Sequence, residues 1–458
     1  MKKLVITLLA STILFLFSYT ISTSEQGGPV VIPASAQRTG DSAKGYDYLV
    51  TGDYLKSGIP LFFYKLGFGK DTLDLHRPGL NKNVSYSFTV VSAANGEKVV
   101  APNCLQCHAQ SFEGKLYVGL GNSFSDFTDN RGATVRFAEK ALQSNPDNLK
   151  KYEAAKSFID AVKAVSAQLT VYTKGVNVAD RLAALLAAHR DPQTFQWSDS
   201  ARLKVPNTIV PTDVPAWWLL KKKHAMFYSG IGRGDFGRFL MASNLLTVKD
   251  TIEAAEVDTH FNDVLAYLLT IPSPKYPKSI NVEMAQHGKK VFLANCARCH
   301  GEYDSKDQYP NLLIPGNIIQ TDPLLYSSNY SSPQFLSWFN KSWFTTGNHP
   351  AQLVPFMGYI APPLDGVWIT APYLHNGSVP DLESLLNSRE RPKYWSRNFT
   401  TPVYNYEKMG WEYKTETAAN STSTYNTTLP GYSNAGHYFG DKLSFKERTA
   451  VIEFLKTL

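Results

Sequence analysis

"APNCLQCHAQSF" occupies residues 101–112 and "LANCARCHGEYD" residues 293–304. Each holds two cysteines two residues apart with a histidine directly behind. The chain has four cysteines, Cys104, Cys107, Cys296 and Cys299, and all of them lie in these two copies of one pattern. Cys-x-x-Cys-His is the arrangement that attaches a c-type haem. Two thioether bonds fix the porphyrin edge to one turn of backbone. The residue behind them, His108 or His300, is then placed to bring an imidazole nitrogen to the iron. A redox Cys-x-x-Cys has no use for the histidine, and a zinc site would have to gather thiolates from both ends of a long interval. The cofactors expected are two covalently bound c-type haems, with His108 and His300 as iron ligands.

The rest of the composition bounds what surrounds them. A chain of 458 residues is too long for one compact core and predicts two domains. Hydrophobic residues at 43% and charged residues at 19% describe an ordinary folded protein rather than a disordered one. Aromatics at 13% suit the burial of flat apolar cofactors and suit a dense core equally. The net charge of +7 fits solubility or the steering of an acidic redox partner. No basic run interleaves with aromatics, so no nucleic-acid partner is expected. The start, "MKKLVITLLASTILFLFSYTIS", puts two lysines before an apolar run from Leu4 to Ile21. That layout is a secretory signal peptide over residues 1–22, with cleavage after Ser22 or after the small-residue stretch Ala34-Ser35-Ala36. An uncleaved anchor is the alternative, and only then would the chain touch a membrane. The expected location is the periplasm or another exported compartment of a bacterium.

Organisation repeats along the chain. "EMAQHGKKVFLANCARCHG" predicts a helix with Met284, Gly288, Val291 and Phe292 on one face, and "SAANGEKVVAPNCLQCHA" reads as a looser version of it. Closing helices follow at 261–270, with Phe261, Val264, Leu265 and Leu268 on one stripe, and at 443–458. The second opens with Ser444 and Glu447 in capping-box spacing and buries Val451, Leu455 and Leu458. The proline-rich "TIPSPKYPKSIN" (270–281) separates the halves. The fold expected is mainly α: two cytochrome c-type haem domains, 37–272 with a helical insertion at 135–190, and 278–458 with a long loop insertion ending in the low-complexity 415–436.

What fills the position opposite each proximal histidine decides the function. For the second haem the candidates are His437, in the glycine-flanked "NAGHYFGDKL" before the closing helix, then His375 in "APYLHNGSVP", then Met357. His437 fits best because the closing helix packs beside the haem. For the first haem only His224 and Met226 in "KKKHAMFY" stand in an apolar setting, and an open site is favoured. Trp217 and Trp218 are the candidate functional tryptophans, as walls of a distal pocket or as carriers of electrons between haems. His189, His260, His287 and His349 read as surface residues.

The ordered set "PAWWLLKKK", "GRGDFGRFLM", "CARCHG", "PPLDGVWITAPYLHNGSVPDLESLL", "RP" at 391–392 and "GHYFGDKLS" resembles the rubber-oxygenase-like branch of the di-haem cytochrome c peroxidase superfamily. The resemblance covers most of residues 200–458. It implies two facing cytochrome c domains, an amino-terminal active haem, a carboxy-terminal electron-transfer haem with His437 as its sixth ligand, and a tryptophan near the active haem or between the two. Two functions follow as expectations. One is an electron-transfer cytochrome with an unknown redox partner. The alternative is a haem oxidoreductase, of peroxidase or dioxygenase type, acting at the first haem. Substrate, oligomeric state and any calcium ion are left open.

Overall fold

Two pairs of crossing helices organise the chain, each touching through a glycine. In the computed structural model, which describes residues 27–67, 73, 75–304 and 307–458, the first leading helix is Ser42–Thr51. The Asp41 carboxylate caps it by accepting from the Ala43 and Lys44 N–H groups. It packs across the closing helix Thr251–Thr270, and a Cβ on Gly45 would lie 1.9 Å from the Asp263 carbonyl oxygen. In the second half Val282–Asn295 crosses Phe445–Leu455, and a Cβ on Gly288 would lie 1.8 Å from the Ala450 carbonyl oxygen. No side chain fits at either crossing. The predicted stripe Phe261, Val264, Leu265 and Leu268 is buried, as are Val451 and Leu455. Leu458 is only half-buried, and Met284 is exposed while Ala285 takes the inward place. Both arms of the Ser444–Glu447 capping box are formed.

The stretch before the first haem motif is not a looser helix. Phe88–Ser92 and Lys98–Pro102 form an antiparallel hairpin with Val90 opposite Val100 and Val91 opposite Val99. Its turn uses Gly96 at φ 80°. An Asn-Gly between β-branched runs is a hairpin signal, and here it outweighs the helical reading. The counterpart of Val282–Asn295 is Ser42–Thr51, moved far upstream of Cys104 by the inserted hairpin.

The expectation of a mainly α fold is corrected to a mixed one, 41% helical with 13% in strands. The insertion at 135–190 is helical, with Gly132–Gln143, Leu149–Val165 and Ala179–Ala188. The stretch 415–436 is not a plain loop. Thr424–Asn426 pairs with Tyr394–Arg397, which also pairs with Tyr413–Thr415. Tyr425 and Tyr432 from this polar sequence are buried with Trp395 and Val171. The tyrosines provide the burial that the serines and threonines around them cannot.

Val30 to Ile32, ahead of the expected start at 37, join the second half. Val30–Val31 pairs with Leu312–Leu313, and Ile32 is buried among Ala225, Leu313 and Ile360. The signal segment 1–22 lies outside the described residues. Among those described, no helix is long and apolar enough to cross a membrane. The connection between Thr270 and Val282 carries no regular element. One hydrophobic core runs beneath both halves, from Leu49, Leu105 and Phe261 to Phe292, Trp368 and Ile452.

Candidate haem-attachment sites

Both motifs fold into the same single turn. The His108 N–H bonds the Cys104 carbonyl at 3.0 Å, and the His300 N–H bonds the Cys296 carbonyl at 3.0 Å. In a helical turn, residues i, i+3 and i+4 share one face, so two thiols and an imidazole are presented together. No disulfide joins the cysteines. Burial pushes the Cys107 thiol up to about 12 and the Cys296 thiol to about 11. The first turn is braced by Asn103, whose side chain accepts from the Leu105 N–H, and by Tyr54, whose hydroxyl accepts from the Cys104 N–H at 3.1 Å. The second continues directly from its leading helix. Gly301 follows at φ 87°, where a Cβ would meet the Gln308 carbonyl oxygen at 2.4 Å.

His300 and His437 face one another. Their ring centres are 6.2 Å apart. Two imidazoles that bind one metal ion from opposite sides, each through a bond of about 2 Å, stand with ring centres roughly 6 Å apart. The donor set and the spacing therefore fit an iron held between the two rings. The His300 Nδ1 lies 2.8 Å from the Pro362 carbonyl, which fixes the ring and leaves Nε2 for a metal. Burial lowers His437 to about 3 and also lowers His300, so both are neutral near pH 7, the form that ligates. His437 stands at φ 51° behind Gly436 at φ 82°, and its N–H bonds the Ile319 carbonyl at 2.8 Å.

The rival candidates are engaged elsewhere. The His375 ring stacks on Tyr359 at 4.1 Å, with Nε2 3.0 Å from the tyrosine hydroxyl. Met357 packs beside Leu325, Tyr326 and Tyr359. His224 points Nδ1 at the Ile32 carbonyl, 2.9 Å away, and Met226 is a core residue. His189, expected at the surface, is 9% exposed and stacks on Trp197.

The first site is built differently. The His108 ring stacks on Trp217 at 4.4 Å with the planes 16° apart, and its buried Nδ1 has no hydrogen-bond partner. Burial alone lowers His108 to about 3. Trp217 thus lies beside the histidine of the attachment motif. Trp218, 1% exposed, donates its indole N–H to the Asp365 carbonyl at 2.8 Å. Asp365 also holds Lys222 at 2.7 Å and lies three residues beyond Pro362, the residue that holds His300. The two tryptophans therefore run from one attachment motif to the loop that fixes the other. Sequence reading found them but missed Pro362 and Asp365, because the bonds to His300 and Trp218 are made by backbone carbonyls, which leave no residue-type signal.

Residues 358–396 match the family model described as RoxA-like, cytochrome c-like. This segment is RoxA-like and cytochrome c-like. That likeness implies a c-type haem. The matched segment supplies Pro362 and Asp365, which touch the second site and the tryptophans. The chain is also similar to two proteins of Sinorhizobium fredii (strain NBRC 101917 / NGR234). It is 40% identical to the uncharacterized protein y4iJ over 123 residues, 24% of this chain and 20% of that protein. It is 26% identical to the uncharacterized protein y4iM over 276 residues, 54% of this chain and 62% of that protein. The matched regions thus span only part of either relative. Among the described residues no group of three or more His, Cys, Asp or Glu side chains is placed to hold a metal ion.

Proposed function

We propose that this protein is an exported di-haem c-type cytochrome that works in electron transfer with a redox partner protein. Its units would be 37–272 and 278–458, each built on one glycine-crossed helix pair. His108 would ligate the haem attached at Cys104 and Cys107, and His300 with His437 the haem attached at Cys296 and Cys299. The reading rests on the His300–His437 pair, whose 6.2 Å separation fits one iron between two neutral imidazoles. A c-type haem supplies one-electron chemistry at its iron. His300, aligned by the Pro362 carbonyl, and His437, held by its loop, would together hold the haem iron and keep small oxidants from it. Trp217 and Trp218 would form the aromatic connection between the two sites. Export follows from the signal-like residues 1–22.

One observation favours a second reading, a haem oxidoreductase acting on peroxide or dioxygen at the first site. His224 and Met226, the candidates to face His108, are held by Ile32 and by the core. A vacant position there would admit a small oxidant.

Electron paramagnetic resonance of the oxidised protein tests both readings. The electron-transfer reading expects two low-spin ferric signals, one from each haem. His437→Ala converts the one belonging to the haem at Cys296 and Cys299 to high-spin, and His375→Ala leaves both intact. Survival of both signals in His437→Ala would sink the proposed ligation. A high-spin signal already present in the unaltered protein, with carbon monoxide binding after partial reduction, would select the oxidoreductase.

A further inference from the structure

We propose that Arg391 is the positioning residue for His437, clamping the loop that carries the imidazole so that the ring is held toward His300. The inference rests on the proposed ligation by His437 and adds the device that maintains it. Arg391 follows the short turn Ser388–Glu390, and its guanidinium spends its donors on main-chain carbonyls from two segments. Nε donates to Ser384 at 3.0 Å and Nη2 to Leu385 at 2.9 Å. Nη1 donates to Asn434 at 2.6 Å and Gly436 at 2.7 Å, while Nη2 also reaches the His437 carbonyl at 3.4 Å. A planar five-donor fork can bridge two strands of backbone in this way, whereas an ammonium is a single point.

The loop needs such a clamp. Gly436 and His437 both sit at positive φ, 82° and 51°, and for a histidine that conformation is held against its own preference. Gly436 leaves no slack, since a Cβ there would meet the Thr321 nitrogen at 2.2 Å. Beyond the histidine, the Asp441 carboxylate accepts from the Ser388 N–H at 2.8 Å and the Ser388 hydroxyl at 2.6 Å. The loop is therefore tied on both sides of His437 to one turn, 384–391. Without the guanidinium, three carbonyls on the near side lose their donor and the loop can relax toward negative φ. The imidazole would then swing off its axis.

Buried arginines bond carbonyls elsewhere in this chain, which provides a control. Arg190 donates to Leu245 at 2.6 Å, Phe195 at 2.7 Å and Val248 at 2.6 Å, in contact with no candidate ligand. The experiment uses the full haem-loaded chain with Arg391→Lys, Arg391→Gln, Arg190→Lys and His437→Ala, read by paramagnetic resonance and by thermal unfolding. Arg391→Lys and Arg391→Gln are expected to convert roughly half or more of the low-spin signal that His437→Ala abolishes. Added imidazole should restore it, showing that the pocket persists. Arg190→Lys should lower the melting temperature and leave the signal whole. If both Arg391 variants keep the full low-spin signal, or if Arg190→Lys loses it equally, the positioning role is overturned while the ligation stands. If His437→Ala itself keeps the signal, the ligation and this inference fall together.

Discussion

His437 and His375 are both histidines in glycine-containing turns, and what separates them is the neighbour of each ring. His375 spends Nε2 on the Tyr359 hydroxyl, whereas His437 faces His300 across a metal-sized gap. Sequence favoured His437 because its loop feeds the closing helix and because the family resemblance implies it. The same scale holds a titrating group near the tryptophans. Asp213 accepts from the Tyr228 hydroxyl at 3.0 Å, and burial raises its carboxyl to about 7. A raised carboxyl keeps its proton in the fold at pH values where the unfolded chain has lost it. Stability from this group is therefore greatest near the ordinary carboxyl range and declines as pH rises through about 7. Asp213→Asn removes that decline. Urea titrations should show the variant on the order of 1–2 kcal/mol more stable than the parent at pH 8, with the advantage vanishing near pH 4. A parent and variant with parallel pH profiles would refute the assignment.

Among the elements, the two helix crossings make the sharpest demand. Gly45 and Gly288 each bring a backbone carbonyl to within 1.9 Å and 1.8 Å of where a Cβ would stand, and neither neighbour is a flexible side chain. Gly288→Ala must push two helices apart, and overpacking of this kind costs about 3 kcal/mol. Chemical denaturation should report a loss of that order for either Gly→Ala change, against less than about 1 kcal/mol at the uncrowded Gly96 if its positive φ is kept by Asn. The strand Val30–Val31 makes a second element-scale claim. Cleavage after Ala36 would remove it together with buried Ile32. Mass spectrometry of the mature chain should find Thr23, not Gln37, as its first residue.

At the scale of the molecule, the halves share a core and exchange segments. Trp218 donates to Asp365 across the boundary, and Arg397 donates to the Ser123 carbonyl. Trp338 reaches the Arg190 carbonyl at 2.7 Å, and Val30–Val31 pairs with Leu312–Leu313. A chain cut once within residues 271–281 should therefore stay together. Gel filtration of a cleaved protein is expected to give a single peak at the parent volume. Separation into two species would mean that the shared core contributes little to holding the halves.

The sequence by itself pointed to haem attachment, because a Cys-x-x-Cys-His pattern is complete within one helical turn and needs no distant partner. It also determined the buried stripes of the closing helices and the Ser444–Glu447 cap, which are written in local periodicity, while the first of these helices starts ten residues earlier than read, at Thr251 behind Asp250. Tertiary structure alone decided the partners of His300, the stacking of Trp217 on His108, and the burial of tyrosines within 415–436. It also revealed that the first leading helix is Ser42–Thr51. Each of these depends on contacts between residues far apart in the chain, several made through backbone carbonyls. A carbonyl is present at every residue, so its selection appears only once the chain is folded.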